Sequence, residues 1–314
     1  MKYRTLGNTG LEVSALSFGA SSLGSVFRET DEKESIRTVH TAIDMGINLI
    51  DVSPYYGLTK AETVLGKAIA ELQREKFILT TKAGRYGADQ FDFSAERIIR
   101  SVEESMERLQ TDYIDILLLH DIEFVPLEHV EEGAFAALQR LKDQGKIRFF
   151  GVSGLPLNLF EQVIGRHDPD VVLSYCHYAL NDTSLLQLVP LLDNKGIGLI
   201  NASPLSMGLL SNRPAPEWHP AGEEVKTACK QAAEYCASRG ADIAKLAVQF
   251  SARDERIPTT LVSTANPENI RNNVRWTEET IDEELLREVL AILEPIRGKT
   301  WVSGRPEYNR SLNL

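Results

Sequence analysis

The chain has 314 residues, of which 43% are hydrophobic and 25% are charged, as in an ordinary globular protein. Its 45 acidic residues outnumber its 34 lysines and arginines and give a formal net charge of -11, which disfavours binding to nucleic-acid phosphates. No apolar stretch approaches the roughly 18 residues of a membrane span, and the first residues lack the apolar segment of a signal peptide. We therefore expect a cytoplasmic protein with no nucleic-acid partner and no membrane partner.

The predicted elements alternate short apolar runs with longer amphipathic segments. The chain begins with a hairpin that turns at residues 7–10. Eight apolar runs are the predicted strands, at residues 15–19, 47–51, 77–82, 114–120, 147–153, 171–174, 197–202 and 260–263. The predicted helices are at residues 31–45, 61–72, 94–109, 127–143, 155–166, 184–194, 243–251 and 268–276. Asp31 and Ser94 are the expected N-caps of two of these helices.

Eight strand-helix units with strands that are apolar almost throughout indicate a parallel sheet buried on both faces. Closure of such a sheet gives an α/β fold, a (β/α)8 TIM barrel with an N-terminal β-hairpin and extra helices. Two segments lie outside the repeats: residues 211–240 carry a proline-rich loop and an added helix, and residues 281–314 add a helix and a tail. Because no Gly- or Ser-rich linker divides the chain, we expect a single domain over residues 1–314.

The three cysteines, Cys176, Cys229 and Cys236, do not form the C-x-x-C spacing of a zinc or redox site. Small buried core residues are the simpler interpretation of these side chains. We therefore expect no metal site.

Ionisable side chains stand at the carboxyl ends of three predicted strands. Asp51 ends the second strand, Lys82 the third and His120 the fourth, and Tyr56 follows in the loop after Asp51. Each has a structural explanation on its own, as a helix cap, a rim residue, a satisfied histidine or a buried phenol. Because active sites of (β/α)8 barrels lie at the carboxyl ends of the strands, the convergence of these four residues, hereafter the tetrad, favours catalysis.

The tetrad suits proton transfer coupled to hydride transfer. A phenol with an ordinary pKa of about 10 is a weak acid for protonating an alkoxide near neutral pH. We expect the ammonium of Lys82 to lower the pKa of Tyr56, and the carboxylate of Asp51 to keep Lys82 charged. His120 is then placed to orient and polarise the reacting oxygen.

Several motifs resemble those of the aldo-keto reductase superfamily over essentially the whole chain. They are DVSPYYG, TTK and LLLH, followed by GVSG and ASPLSMGLL. Within that superfamily, FGASSLGSVF, GRYGADQFDFSAERI, LLLHDIEF, LSYCHYALND and PEWHPAG are similar to the L-galactose dehydrogenase group. All four tetrad residues occupy matching motif positions, so the resemblance implies that Tyr56, Lys82, Asp51 and His120 are catalytic.

The resemblance further implies a barrel that binds NAD, or NADP, without the G-x-G-x-x-G fingerprint, which this chain lacks after its strands. The implied reaction is oxidation of an aldose at the anomeric carbon to the lactone. L-galactose is the leading substrate, and L-fucose and D-arabinose are related candidates.

The same resemblance implies where the dinucleotide binds. The nicotinamide amide would lie near Ser153 and Ser174, the pyrophosphate along residues 203–208, and the adenosine end along residues 263–273. Backbone N–H groups at the start of the helix predicted at residues 268–276 are suited to binding an anion on physical grounds. The complete set of implied cofactor residues is Gly19, Ala20, Ser21, Asp51, Ser153, Gly154, Ser174, Ala202, Ser203, Pro204, Leu205, Gly208, Ser263, Thr264, Ala265, Asn269, Asn272 and Asn273.

The chain departs from the family pattern at several of these positions. Gly154 stands where many relatives have an asparagine, and Ala202 where they have an aromatic ring. Ser263 and Asn269 replace a pair of cations, which predicts a preference for NAD because a buried 2′-phosphate needs positive partners. Two arginines near in sequence would still favour NADP if their side chains turned inward; they are Arg271 and Arg275.

The expected partner is a small-molecule sugar, and the protein is expected to be a monomer or a small homo-oligomer. Besides Tyr56 and His120, the candidate substrate residues are Glu123, Phe124, Trp218 and Trp301, and the two tryptophans are equally well explained as structural anchors. Two alternatives stay open: an NADPH-dependent reductase of aldehydes or ketones, and a dinucleotide-binding regulatory subunit. The complete tetrad disfavours the second.

Overall fold

The centre of the fold is a closed barrel of eight parallel strands. The computed structural model describes residues 1–26, 28–305 and 308. The antiparallel strands β1 (Tyr3–Thr5) and β2 (Glu12–Ser14) form the N-terminal hairpin. The barrel strands are β3 (Leu16–Gly19), β4 (Leu49–Asp51), β5 (Ile78–Ala83), β6 (Ile114–Leu119), β7 (Ile147–Gly154), β8 (Val171–Tyr175), β9 (Gly198–Ala202) and β10 (Thr259–Ser263). The predicted TIM barrel with its hairpin is confirmed.

Helices connect and surround these strands. They are α1 (Glu32–Asp44), α2 (Lys60–Ile69), α3 (Ala95–Leu109), α4 (Leu127–Glu131), α5 (Ala134–Asp143), α6 (Leu157–Arg166), α7 (Val189–Lys195), α8 (Glu223–Ser238), α9 (Ile243–Arg253), α10 (Pro267–Glu278) and α11 (Glu283–Leu293). The two predicted N-caps are confirmed: the side chain of Asp31 accepts a hydrogen bond from the backbone N–H of Glu34 at 2.8 Å, and that of Ser94 from Arg97 at 3.4 Å.

Two predicted helices are broken in the structure. The helix expected at residues 127–143 is two helices, α4 and α5, because the chain turns at Gly133, where an added Cβ would lie 3.2 Å from the backbone nitrogen of Ala95. The helix expected at residues 184–194 is a 3₁₀ turn followed by α7. Pro190 lies in the first turn of α7, where its missing N–H is tolerated, whereas it would break a longer helix.

The hairpin closes the amino end of the barrel. Its side chains Leu6, Leu11 and Val13 pack against inward-facing residues near the strand starts, among them Leu49 and Ile78. Helices cover the outside of the barrel, so the strands are buried on both faces. The opposite end, where the strands finish, is hereafter the mouth.

The remaining predictions about segments concern the cysteines, the added segments and the tail. Cys176, Cys229 and Cys236 are buried and are not in disulfides. The inserted segment contains α8, and the added C-terminal helix is α11. Part of the predicted tail, residues 306, 307 and 309–314, lies outside the described residues. Within the described residues, none of the helices has both the length and the apolar run that crossing a bilayer requires.

Candidate active site

Three tetrad residues form a buried hydrogen-bonded chain at the mouth. Lys82 Nζ lies 2.5 Å from Oδ1 of Asp51 and 3.2 Å from the hydroxyl of Tyr56. It also donates to the carbonyl oxygen of Val52 at 3.1 Å. In the register of β4 and β5, Asp51 lies opposite Thr80. Because side chains alternate along a strand, Lys82 points to the same side as Thr80, two residues further toward the mouth.

The turn after β4 brings Tyr56 against His120. The two rings meet edge to face, with centroids 5.6 Å apart and planes at 89°. The turn depends on Gly57, which has a φ of 62°, and an added Cβ there would lie 2.0 Å from the carbonyl oxygen of Gly24. Only glycine accommodates both this backbone angle and this close approach. The Pro-Tyr-Tyr-Gly sequence therefore places the phenol over the end of the barrel.

Burial dominates the acid-base properties of Tyr56. It raises the pKa of the phenol to about 12, although the ammonium of Lys82 acts in the opposite direction. Lys82 therefore acts in the expected direction, but the desolvation of the phenolate outweighs its attraction, so the pKa of Tyr56 lies above its ordinary value. Burial also disfavours the charge on Lys82, but Asp51 and Tyr56 together raise the pKa of the ammonium above its usual range.

His120 is a neutral ring in this site. Burial lowers the pKa of its imidazole to about 3, and the nearby carboxylate of Asp121 opposes this only in part. Nδ1 lies 2.9 Å from the hydroxyl of Ser53, and Nε2 lies 3.5 Å from Oδ2 of Asp121. A neutral imidazole has one donor and one acceptor nitrogen, so these two contacts have different roles.

Arg85 and Asp121 belong to the site, although the sequence analysis did not select them. Arg85 donates to Asp121 Oδ2 at 2.5 Å and to the hydroxyl of Tyr55 at 3.1 Å. Its guanidinium also lies 4.0 Å from the ring centre of Tyr55 and 4.6 Å from that of Phe124. Arg85 follows β5 and Asp121 follows β6, so the strand-end rule that selected Lys82 and His120 applies to them as well.

Glu123 and Phe124 lie on the loop after β6. Glu123 is 1% exposed, and its Oε1 accepts hydrogen bonds from the backbone N–H of Leu155 at 3.1 Å and from the hydroxyl of Ser303 at 2.8 Å. Burial raises the pKa of its carboxyl to about 8, and the charge of Asp121 acts in the same direction. Phe124 stacks on Phe91 with ring centres 4.9 Å apart. The tail thus reaches the mouth through Ser303.

The two tryptophans contact His219 of the inserted segment. The ring of Trp218 lies 5.9 Å from that of His219, and Trp301 meets His219 edge to face at 4.9 Å. His219 accepts from the backbone N–H of Ala221 at 3.1 Å through Nδ1, so its Nε2 donates to the carbonyl oxygen of Ser206 at 3.0 Å. These contacts anchor the inserted segment to residues 203–208, whereas no substrate role for either tryptophan follows from them.

Apart from Asp51 on β4 and the three asparagines on α10, the implied cofactor residues form an arc over the ends of five neighbouring strands, β7, β8, β9, β10 and β3. Ser153 and Gly154 end β7, Ser174 lies in β8, and Ala202 ends β9. The turn at residues 203–208 contains Ser203, Pro204, Leu205 and Gly208. Ser263 ends β10, followed by Thr264 and Ala265, and Gly19 ends β3, followed by Ala20 and Ser21. This candidate cofactor arc faces the tetrad strands β4, β5 and β6 across the mouth.

Side chains at the adenosine end of the arc are held by neutral partners. The hydroxyl of Ser263 lies 2.9 Å from that of Ser21 and accepts from the backbone N–H of Ser22 at 3.1 Å. Asn269, which lies on α10 with Asn272 and Asn273, donates to the hydroxyl of Thr264 at 3.1 Å. No cation is part of either contact.

The two arginines considered for a 2′-phosphate are paired on the surface of α10. Arg271 lies 3.3 Å from the carboxylate of Glu268, and Arg275 donates to the side-chain oxygen of Asn272. The inward rotation considered for them is therefore not observed.

Unpaired buried atoms test whether the arc fits a dinucleotide. Among the described residues, Ser174 Oγ and Asp51 Oδ2 are buried without a hydrogen-bond partner. Buried polar atoms are normally paired, so a ligand with donors at the mouth would satisfy both. A nicotinamide dinucleotide offers such donors in its carboxamide and in its ribose hydroxyls, so the residues present fit this group.

Proteins of known name with similar sequences are members of the aldo/keto reductase family and aldose dehydrogenases. The profile of the Aldo/keto reductase family matches residues 15–294. The chain is 50% identical over 313 residues to an L-galactose dehydrogenase from Arabidopsis thaliana, and the match covers 97% of this chain and 98% of that protein. It is 38% identical to a D-arabinose 1-dehydrogenase from Saccharomyces cerevisiae, over 76% of this chain and 75% of that protein.

A solved structure shows the same architecture. An aldo-keto reductase from Bacillus halodurans, in its holo form, matches with a TM-score of 0.79 and 26% sequence identity. The match covers 98% of this chain and 99% of that chain. The likeness therefore includes the tetrad strands and the candidate cofactor arc.

Proposed function

This chain belongs to the aldo/keto reductase family of oxidoreductases, and we propose that it oxidises an aldose at its anomeric carbon to the lactone. L-galactose is the proposed preferred sugar and NAD the proposed preferred cofactor. The observation that carries the proposal is the buried chain from Asp51 through Lys82 to Tyr56, with the neutral ring of His120 beside the phenol. A cytoplasmic location and a monomer or small homo-oligomer stay predictions from the sequence.

The tetrad supports removal of a proton from the anomeric hydroxyl. When bound, the oxidised nicotinamide supplies an acceptor for the hydride that leaves the anomeric carbon. Tyr56 accepts the hydroxyl proton as its phenolate, which the ammonium of Lys82 stabilises at 3.2 Å. Asp51 balances the charge of Lys82, and the neutral His120 orients the sugar oxygen without a further buried charge. This division of roles follows the general requirements of acid-base catalysis.

The surroundings of the tetrad support a polar substrate. Arg85, Tyr55 and Asp121 provide donors and acceptors on one side, and the stacked rings of Phe91 and Phe124 provide an apolar wall. A few placed polar groups beside apolar walls are typical of sites for small molecules. The two relatives described above are named for dehydrogenation of L-galactose and D-arabinose, both aldoses.

The adenosine end of the arc supports NAD. Ser263 and Asn269 offer a hydroxyl and an amide, which are matched to a neutral ribose. A 2′-phosphate would carry about two negative charges into a site whose nearby arginines already have partners.

Initial rates on a panel of aldoses and aldehydes, each with NAD and NADP and in both directions, test the proposal. L-galactose with NAD should give the highest kcat/KM, with L-fucose and D-arabinose behind it and D-glucose far behind. A preference for aromatic aldehydes with reduced cofactor would instead favour the reductase alternative. No turnover of any compound, together with tight dinucleotide binding, would favour the regulatory alternative.

A further inference from the structure

Ser53 connects the backbone of the catalytic turn to the imidazole of His120. Its hydroxyl oxygen accepts from the backbone N–H of Tyr55 at 3.1 Å and lies 2.9 Å from His120 Nδ1. Ser53 is fully buried. Within the described part of the chain, the hydroxyl has no other hydrogen-bond partner.

The direction of the second bond follows from the first. A serine hydroxyl carries one hydrogen, and Tyr55 occupies one of its two acceptor positions. If Nδ1 also donated to Ser53, the hydroxyl hydrogen would stay unpaired in a buried site, which costs free energy. The hydroxyl therefore donates to Nδ1, and the single hydrogen of the neutral ring lies on Nε2.

The other side of the ring agrees with this assignment. Nε2 of His120 lies 3.5 Å from the carboxylate oxygen Oδ2 of Asp121, and Arg85 fixes that oxygen at 2.5 Å. A carboxylate repels the lone pair of an unprotonated nitrogen and attracts an N–H. Of the charged groups near the ring, Asp121 is on the loop after β6, Lys82 on β5 and Arg85 on the loop after β5. Among the residues that the structure describes, only Asp121 has a charged group within ion-pair distance of Nε2.

We propose that Ser53 is a positioning residue whose hydroxyl holds His120 in the tautomer with hydrogen on Nε2, so that the neutral ring donates to the reacting sugar oxygen. The proposal rests on the function proposed above for its last clause, whereas the tautomer itself does not depend on any substrate. One turn thus places Tyr56 and also sets the protonation pattern of the residue beside it.

Because His120 is neutral, its tautomer decides which nitrogen can donate a hydrogen bond. Because burial lowers the pKa of the imidazole to about 3, the ring has a single N–H near neutral pH. A ring with its hydrogen on Nδ1 would present a lone pair to the substrate oxygen. Without Ser53, the fraction of rings with hydrogen on Nε2 falls, and the rate falls with it.

Nitrogen NMR of protein labelled at its six histidines tests the tautomer directly. His120→Asn identifies the His120 signals by their loss. In the unmodified protein we expect Nδ1 to resonate as an unprotonated nitrogen and Nε2 as a protonated one, from pH 5 to pH 8. A protonated Nδ1 would overturn the proposal, and this reading is made without sugar, so it is separate from any failure of the proposed function.

Variants then test whether Ser53 is responsible. In Ser53→Ala we expect the tautomers to mix and kcat for L-galactose to fall about tenfold, with the Kd for NAD unchanged, since one net hydrogen bond is worth about a factor of ten. Ser53→Thr retains the hydroxyl and should recover much of the rate. Ser35→Ala is the matched control. Ser35 is a buried serine in α1, far from the mouth, and donates to the carbonyl oxygen of the N-cap residue Asp31.

An unchanged His120 spectrum in Ser53→Ala would overturn the proposal, as would an unchanged kcat. If Ser53→Ala does not fold, the tautomer in the unmodified protein and in Ser53→Thr decides, since both must show hydrogen on Nε2. A fall in kcat that also occurs in Ser35→Ala would indicate a general effect of losing a buried hydroxyl and would contradict the specific role.

Discussion

The carboxyl group of Glu123 occupies the space that a side chain on Gly154 would need: an added Cβ at Gly154 would lie 2.6 Å from Glu123 Oε2. The glycine at position 154 thus has a physical reason. A larger residue at position 154 must displace a buried carboxyl that the backbone of Leu155 and the hydroxyl of Ser303 hold in place.

Gly154→Ala is therefore expected to destabilise the protein by about 1 to 3 kcal/mol, the usual cost of overpacking. In a Glu123→Ala background the same change should cost much less, because the competing carboxyl is absent. Urea unfolding of the four proteins of this double-mutant cycle measures the coupling free energy. Additive effects of the two changes would show that the carboxyl and the glycine do not depend on each other.

Tyr56→Phe removes the proposed proton acceptor and leaves the ring in place. We expect turnover of L-galactose to fall by about two to four orders of magnitude, the range for a positioned acid-base group, while NAD still binds. Tyr113→Phe is the matched control, because Tyr113 packs against Arg74 away from the mouth and its loss should leave turnover unchanged. Turnover of Tyr56→Phe within a few-fold of the parent would exclude this role.

Lys82→Met tests the electrostatic role of the ammonium. The phenolate of Tyr56 forms as the pH rises toward a pKa of about 12, and Lys82 is the group that lowers this pKa. Its removal should raise the pKa further, so the pH-rate profile for oxidation should move to higher pH as the neutral-pH rate falls. Lys67→Met, which removes an exposed lysine paired with Glu32, should leave the profile in place. An unmoved profile with a raised KM would assign Lys82 to binding.

The raised pKa of Glu123 leads us to expect a specific pH dependence of the free energy of unfolding. Its pKa is raised from an ordinary 4.5 to about 8, so between these values the folded protein retains a proton that the unfolded chain releases. The free energy of unfolding therefore falls as the pH rises through this window, and the effect is constant above about pH 8. Relative to the parent, Glu123→Gln should gain stability from pH 5 to pH 8 in urea unfolding. A difference that does not change with pH would contradict the raised pKa.

Asn269→Arg should narrow the preference for NAD over NADP. The new guanidinium would lie beside Thr264 and Ser263, where a 2′-phosphate lacks a cation in the unmodified protein. The ratio of kcat/KM for the two cofactors, measured on one sugar, should move toward NADP. Thr277→Arg, in the last turn of the same helix and outside the implied cofactor residues, is the control for a general charge effect. If the unmodified protein prefers NADP, both the proposed preference for NAD and its explanation from the neutral residues Ser263 and Asn269 are contradicted.

The barrel and the tetrad could be predicted from the sequence because each rests on a local pattern. Apolar strands repeat along the chain; Lys82 lies near the end of β5, and His120 directly follows β6. The helix breaks at Gly133 and before Pro190 also had local signals, namely a glycine and a proline. The prediction missed both breaks because it used only the spacing of apolar residues.

The properties that the sequence did not predict depend on distances between separate loops. The fit of Glu123 against Gly154 joins the ends of β6 and β7. The pKa of Tyr56 depends on two opposing effects, burial and the charge of Lys82, and only coordinates give their relative size. Arg85 and Asp121 could have been found from their strand-end positions, although their pairing with each other could not.

The closed amino end of the barrel suggests how the protein could be mounted on a solid support. The hairpin of β1 and β2 closes that end with Leu6, Leu11 and Val13. The tetrad lies at the mouth, which is the opposite end of the barrel. Lys2 precedes β1 and is exposed. Because other lysines, such as Lys33 and Lys60, are exposed too, the attachment must be restricted to position 2. Every molecule then has its mouth toward the solution, and an electrode or bead coated in this way leaves the path of the sugar unobstructed.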